Sequence, residues 1–189
     1  MAVVSKIVKV ATRTIFVEEW SNVIMLNLSL AEVERLIAAS NAHRGAQASA
    51  AWPTTHADEA TLEQLFHCSH RLAVYGTLAP GRPNHHIVAP LGGEWVAGVV
   101  QGELVARGWG ATLGYPALLP RGGDDVVGVQ VLTTQALTGA WSMLDEFEGT
   151  EYRRLLIAVL RNEEGSRPVL LTVANVYATA DPGVDAKAT

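Results

Sequence analysis

Apolar residues recur along this chain with two different periods, and the change falls near residue 70. Before it, Ser29-Leu-Ala-Glu32 has the capping-box form. Val33, Leu36 and Ile37 follow at helical spacing, which predicts a helix over 30–42. Residues 44–55 are rich in Ala, Gly and Ser and end near Trp52-Pro53, which reads as a linker or loop. Leu62, Leu65 and Phe66 then mark the apolar side of a second short helix over 58–67. After Arg71 the texture changes to short apolar or alternating runs broken by glycine and proline. Strands are predicted over 72–75, 94–106 (kinked at Gly98 and Gly102), 116–119 and 126–133. One long helix follows over 135–147, and strands over 152–161 and 168–179 close the pattern. Several antiparallel-looking strands around a single long helix predict an α+β fold built on a closed or half-closed barrel. The absence of regular strand–helix alternation argues against a doubly wound sheet. The expected organisation is a helical N-terminal extension over 1–70, a barrel domain over 71–180 and a flexible tail over 181–189.

Composition narrows the class of protein. A chain of 189 residues with 49% hydrophobic and 17% charged residues can form a core without disulfides or metal. A net charge of −5 with no basic stripe disfavours nucleic acid as a partner. Cys68 is the only cysteine, so no intramolecular disulfide can form, which fits a reducing, cytoplasmic location. No apolar run approaches the roughly 20 residues of a membrane-spanning helix, and no membrane partner is expected. Lys6, Lys9 and Arg13, with no acid before Glu18, leave an organellar transit peptide open. The β-branched Val3, Val4, Ile7, Val8 and Val10 fit a strand as well, and a loosely docked extension is the third alternative.

Three places could carry chemistry. In Val74-Tyr-Gly-Thr-Leu-Ala-Pro-Gly81 an apolar strand runs into a tight turn. Consecutive unpaired amides there would suit a carboxylate or a developing oxyanion, and an ordinary strand-to-loop turn is the alternative. A side chain at Gly76 is expected to obstruct approach to those amides and to resist the backbone angles of the turn. On the long helix, Leu137, Ala140, Trp141 and Leu144 share one face at about 100° per residue. Glu148 falls in the same stripe, Glu146 points away and Asp145 sits on the flank. A carboxylate at the end of an apolar face is either aimed into a cavity, where desolvation raises its pKa toward that of a general base, or turned to solvent. In Glu151-Tyr-Arg-Arg154, Tyr152 and Arg154 share one strand face and Arg153 takes the other. An inward arginine could pair with an acid or a substrate carboxylate; an exposed edge arginine is the alternative.

Other motifs weigh less. His67-Cys68-Ser69-His70 carries ligand atoms but no second cluster to complete a metal site. Gly108-Trp-Gly110-Ala-Thr-Leu-Gly114 is one residue from a dinucleotide fingerprint but opens no predicted helix. Ser142 lacks the Gly-x-Ser-x-Gly context of a serine hydrolase.

Taken in order, several segments resemble the gamma-glutamylcyclotransferase-like family, which includes the plant avirulence-induced proteins and many small bacterial homologues. They are Val74-Tyr-Gly-Thr-Leu-Ala-Pro-Gly81, Asn84-His85, Gly102-Glu-Leu104, Tyr115-Pro-Ala-Leu-Leu-Pro120 and Val127-Gly-Val129. Leu144-Asp-Glu-Phe-Glu-Gly149, Tyr152-x-Arg154 and residues 173–177 complete the match, which spans about 72–177. The resemblance implies a small mixed β-barrel with flanking helices and a pocket at one mouth. It implies a cyclotransferase, an acyltransferase-class enzyme that releases 5-oxoproline and an amine from a γ-glutamyl amine or amino acid. By position, Glu148 resembles the catalytic base, and Tyr75, Gly76, Thr77 and Leu78 resemble the loop that holds the glutamyl moiety. Tyr152 and Arg154 are the further candidate substrate-binding residues. No metal or organic cofactor is implied. The Tyr-Gly-Thr-Leu…Gly…Asn-His form looks closer to the γ-glutamylamine branch. A non-catalytic sensor using the same pocket is the alternative function. Asn175, where an apolar or aromatic residue is more usual, and the first 70 residues are the departures from the pattern.

Overall fold

The computed structural model describes residues 28–46, 56–106, 114, 116–161 and 168–179. The expectations for residues 1–27, the linker over 47–55, the glycine-rich stretch over 108–113 and the tail over 181–189 lie outside the described residues.

Helix α1 (Leu30–Ala46) starts at the expected capping box. The Ser29 amide and hydroxyl both donate to Glu32 Oε2 at 2.7 Å, and the Glu32 amide donates back to Ser29 Oγ at 3.3 Å. The helix continues beyond the expected end, so Arg44 belongs to its last turn and not to a linker. The reason is tertiary. Arg44 has partners on the sheet and on helix α2 (Ala57–Phe66), and these hold the turn in place. Helix α2 ends at His67, whose left-handed backbone (φ 47°) lets its amide donate to Glu63 O.

The strands are β1 (Arg71–Val74), β2 (Glu94–Val105), β3 (Ala117–Pro120), β4 (Val126–Thr133), β5 (Arg153–Arg161) and β6 (Val169–Ala178). Helix α3 (Leu137–Glu148) joins β4 to β5. The sheet order is β3-β2-β4-β1-β6-β5, and β5 pairs back on β2 through Val99 and Leu160. Five strands thus close into a mixed barrel, with β3 appended to the far end of β2. The one parallel pairing joins β1 to β6, with Leu72 opposite Asn175 and Ala73 opposite Val176. Closure needs a glycine. A Cβ on Gly98 would lie 2.5 Å from Val159 Cγ1 and 3.2 Å from Leu160 O, at the seam where β2 meets β5.

Alternation along the strands sorts side chains between two sides. Ala73, Val100, Val127, Val129, Val131, Val159, Ala174 and Val176 fill the barrel. Leu72, Val74 and Tyr177 face outward under α3, packed with Leu137, Ala140, Trp141 and Leu144. Val33, Leu36, Leu62 and Phe66 of the first two helices cover Leu156, Leu160, Leu170 and Val173 on the outside of β5 and β6. Strand β6 is therefore buried on both faces, which is why its sequence reads as an almost unbroken apolar run. Where β5 has no strand beside it among the described residues, Asn41 stands in. Its Nδ2 donates to Leu156 O and its Oδ1 accepts from Leu156 N, both at 2.8 Å, as a neighbouring strand would.

The division expected at residue 70 meets a hydrophobic cluster shared across it. Phe66 is 1% exposed and packs into this cluster with β5 and β6 residues. Phe66→Ala should cost about 3–5 kcal/mol. Urea unfolding followed by tryptophan fluorescence, with Trp95 and Trp141 reporting on the barrel side, should show one transition moved to lower urea. A barrel transition left in place would mean that the two parts unfold separately.

Candidate functional site

Parallel pairing of β1 with β6 sends both strands toward the same mouth of the barrel, and a cavity opens there. Its lining is Ala73, Val74, Tyr75, Gly76, Thr77, Leu78, Pro116, Glu148, Tyr152 and Tyr177, around roughly 490 Å³ of empty space with the open mouth included. Residues more than 70 positions apart in sequence, the turn after β1 and the end of α3, thus face one space.

The turn is fixed from behind. The Ala79 amide donates to Gly76 O at 3.2 Å, closing a tight turn. Asn84 donates through its backbone amide to Thr77 O and through Nδ2 to Thr77 Oγ1, each at 3.0 Å. His85 Nδ1 lies 3.0 Å from Leu78 O. Asn84-His85 therefore acts as a brace for the turn. Leu78 is buried in the cluster under α3, so it offers the cavity its backbone. Among the described residues, the amides of Gly76, Thr77 and Leu78 donate to no protein acceptor. The Tyr75 phenol is committed elsewhere. It donates to Tyr177 O at 2.9 Å and accepts from Leu118 N at 3.0 Å, bridging β6 and β3. Burial pushes its pKa up, which keeps it a neutral donor.

One expectation about Gly76 is corrected. Its φ lies outside the left-handed region, and a Cβ there would meet nothing within 4 Å. The turn thus imposes no strain on a side chain, and what that side chain would occupy is open space.

Glu148 is the last residue of α3, four positions after the fully buried Leu144, and so stays on the packed face. Gly149, at φ 73°, ends the helix immediately behind it, its amide bonded to Asp145 O. The helix itself is pinned by Trp141, whose Nε1–H donates to Ser69 O at 3.0 Å. Burial raises the Glu148 pKa from 4.5 to about 7. Glu146, by contrast, is exposed.

Tyr152, just before β5, lines the cavity with Glu148. Arg154 does not line it. Its guanidinium points under α3, where Nη2 donates to Asp145 Oδ2 at 3.1 Å and the carbon centre sits 4.6 Å from the centroid of the Trp141 ring. Burial lowers its pKa and the Asp145 carboxylate opposes that shift. The inward arginine has found an acid of the protein. Tyr177 was not singled out as a site residue, yet it lines the cavity while its hydroxyl donates to Asp145 Oδ1 at 2.6 Å. Strand alternation was the available clue, since Tyr177 lies on the same outward face of β6 as Asn175.

No cluster of three or more potential metal ligands occurs among the described residues. His67 and His70 stack on each other, and Cys68 is buried, which pushes its thiol pKa up. No helix among the described residues is long and apolar enough to cross a membrane.

A mixed barrel with a desolvated carboxylate and an open-amide turn at one mouth defines a small-molecule pocket. Residues 72–188 match the family model described as gamma-glutamyl cyclotransferase, AIG2-like, and the chain belongs to that family. The resemblance drawn from the motifs and the fold class implied by it are thereby borne out. At family level the activity is that of cyclotransferases acting on small γ-glutamyl molecules. Among solved structures, an AIG2-like protein from Mus musculus is 27% identical, with a TM-score of 0.45 over 60% of this chain and 80% of that one. A protein from Arabidopsis thaliana is 25% identical, with a TM-score of 0.40 over 60% and 72% of the two chains. One from Pyrococcus horikoshii is 20% identical, with a TM-score of 0.40 over 59% and 78%. Comparison with curated proteins finds no match.

The raised Glu148 pKa has a consequence for stability. Between pH 4.5 and about 7 the unfolded chain ionises this carboxyl while the folded one keeps it protonated, so folding loses stability as pH rises through that window. Below the window no penalty exists, and above it the penalty is constant, on the order of 3 kcal/mol. Glu148→Gln removes the titration. Its melting temperature should match that of the wild type near pH 4.5 and exceed it increasingly up to pH 7. Parallel melting-temperature curves across that range would show that Glu148 is not desolvated.

Proposed function

We propose that this chain is a γ-glutamyl cyclotransferase that closes the glutamyl moiety of a γ-glutamyl amine or amino acid into 5-oxoproline. The observation that carries the reading is the pairing, in one cavity, of a carboxylate whose pKa is about 7 with a turn of open backbone amides.

The steps follow from those two groups. The substrate's α-ammonium must lose a proton before its nitrogen can attack. A carboxylate with a pKa near neutrality is ionised in a useful fraction of molecules and is basic enough to take that proton. The nitrogen then attacks the γ-carbonyl of the same molecule, forming a new C–N bond and placing negative charge on the carbonyl oxygen. Amides of Gly76, Thr77 and Leu78 are suited to hold a substrate carboxylate or that developing oxyanion. The old amide bond breaks as the proton held by Glu148 passes to the leaving nitrogen. The carboxylate so regenerated takes the second proton from the ring nitrogen and hands it to the departing amine, which leaves as its ammonium while the ring becomes a neutral lactam. Ring closure within one substrate needs no second reactant, and holding the chain in a folded conformation supplies much of the acceleration. Tyr152 and Tyr177 would form the walls against which the substrate's methylenes lie.

The reading is tested by incubating the protein with a panel of γ-glutamyl amines and γ-glutamyl amino acids and measuring 5-oxoproline. Glu148→Gln should lower the rate about 10²–10⁴-fold, the usual contribution of a positioned general base. Glu146→Gln, on the exposed side of the helix, should keep wild-type activity. Equal rates for Glu148→Gln and wild type would remove Glu148 as the base. Ligand binding without turnover by the wild type would instead indicate a sensor.

Gly76→Val separates binding from folding. The side chain enters open space, so the melting temperature should stay within a few degrees of wild type. Calorimetric titration with 5-oxoproline should show affinity weakened about tenfold or more, the scale of one lost charge-assisted hydrogen bond. A variant that unfolds while binding normally in its folded fraction would make the glycine purely structural.

A further inference from the structure

A largely buried chain of polar contacts crosses from the N-terminal helices to the strands that carry site residues. Arg44 of α1 is the crossing point. Its guanidinium pairs with Glu59 of α2 through both Nε, at 2.9 Å from Oε1, and Nη2. Its Nη1 reaches the sheet, donating to Asn175 Oδ1 at 2.9 Å and to Arg154 O at 3.3 Å. Asn175, fully buried, uses its other end to donate to Cys68 O at 2.6 Å. The fork of Arg44 therefore holds the two strands at the residues that lead directly into the site. Arg154 carries the guanidinium that binds Asp145, and Tyr177, two positions beyond Asn175, donates to that same carboxylate while lining the cavity.

We propose that Arg44 is a positioning residue for the cavity, acting with Glu59 through Asn175 and the Arg154–Asp145–Tyr177 contacts, so that the N-terminal helices form part of the site's support. Asn175 is the residue of β6 that receives this arginine: an apolar side chain there would leave a guanidinium N–H without its acceptor. Lysine could not substitute. It is a point charge and lacks the planar fork that satisfies a carboxylate and two oxygens of the sheet together. The inference takes its ligand, 5-oxoproline, from the cyclotransferase reading, but its structural readout is independent of it.

The test uses the full-length protein. Removing one charge alone would strand the other in the interior, so the principal variant replaces both, Arg44→Met with Glu59→Leu, an exchange that buried ion pairs commonly tolerate. The second variant is Arg44→Lys. Two quantities are measured: 5-oxoproline affinity by calorimetric titration, and the exchange rate of the Trp141 indole N–H, which lies under the Arg154 guanidinium. Both variants should stay folded, lose about tenfold in affinity and exchange the indole proton faster, a scale expected of changes that act on a site from a distance. A double variant that melts cooperatively and matches wild type in both quantities would overturn the inference. Should the double variant unfold, the same comparison on Arg44→Lys decides. If the wild type binds no 5-oxoproline but the indole proton still responds, the coupling stands and the cyclotransferase reading fails.

Discussion

A helix that lays one face on a barrel must press every third or fourth residue against it, and the site depends on where that series stops. In α3 the series is Leu137, Ala140, Trp141, Leu144 and then Glu148. Four apolar members provide the burial that orients the helix, and the fifth, a carboxylate, is carried onto the same surface whatever its own preference. Gly149 ends the helix one residue later, so Glu148 arrives at the rim of the packed region, where a cavity can open beside it. A hydrogen bond also ties the same helix to the opposite half of the site. Trp141 Nε1 donates to Ser69 O, two residues before β1, and β1 is only four residues long. The carboxylate and the open-amide turn are therefore referenced to one short strand, and their separation is set by rigid elements and not by loops.

Barrel closure sets the second constraint. Among the described residues, β5 pairs with β2 at Val99 and Leu160, and the rest of that outer edge of β5 has no strand partner and must be satisfied otherwise. Asn41 meets that need at Leu156, and the apolar faces of α1 and α2 cover the strands around it. The consequence is a sheet whose outer surface is divided between two helical layers. Leu156, Leu160 and Val173 lie under α1 and α2, whereas Leu72 and Tyr177 lie under α3. On β6 the boundary falls between Asn175 and Tyr177, one alternation apart. Polar groups concentrate at that boundary because backbone and side-chain atoms buried between layers still require partners.

Much of this was legible in the sequence, for identifiable reasons. Strand β4 is found at 126–133, as its alternation predicts, and the capping box at Ser29 marks the true start of α1. Both are local patterns, and local patterns survive in the fold. Glu148 was legible because helical periodicity is also local. Arg154 shows where such reading stops. Alternation put it on one strand face with Tyr152 and left open whether that face was buried or exposed, and its partner, Asp145, belongs to another element whose distance follows only from packing. Arg44 was read as part of a linker because its neighbours are Ala, Gly and Ser. Its helical turn is held by Glu59, Asn175 and the Arg154 carbonyl, contacts up to 131 positions away in sequence. Asn175 seemed an anomaly of β6 for the same reason.

The placement of charge explains why a carboxyl group here keeps a raised pKa. Among the described residues that line the cavity, Glu148 is the one that carries a formal charge when ionised. Arg154 is two residues beyond Tyr152, yet it does not line that cavity. Facing it, the guanidinium would have stabilised the ionised carboxylate and held its pKa well below neutrality, leaving a weak base. Instead Asp145 and the Trp141 ring hold the guanidinium beneath the helix, and burial is what raises Glu148. Two carboxylates three residues apart on one helix thus have opposite circumstances. Asp145 is given an arginine and a tyrosine hydroxyl and supports the wall, whereas burial raises the affinity of Glu148 for a proton. A cation beside a carboxylate would lower its basicity, and the structure turns one strand arginine away from the mouth.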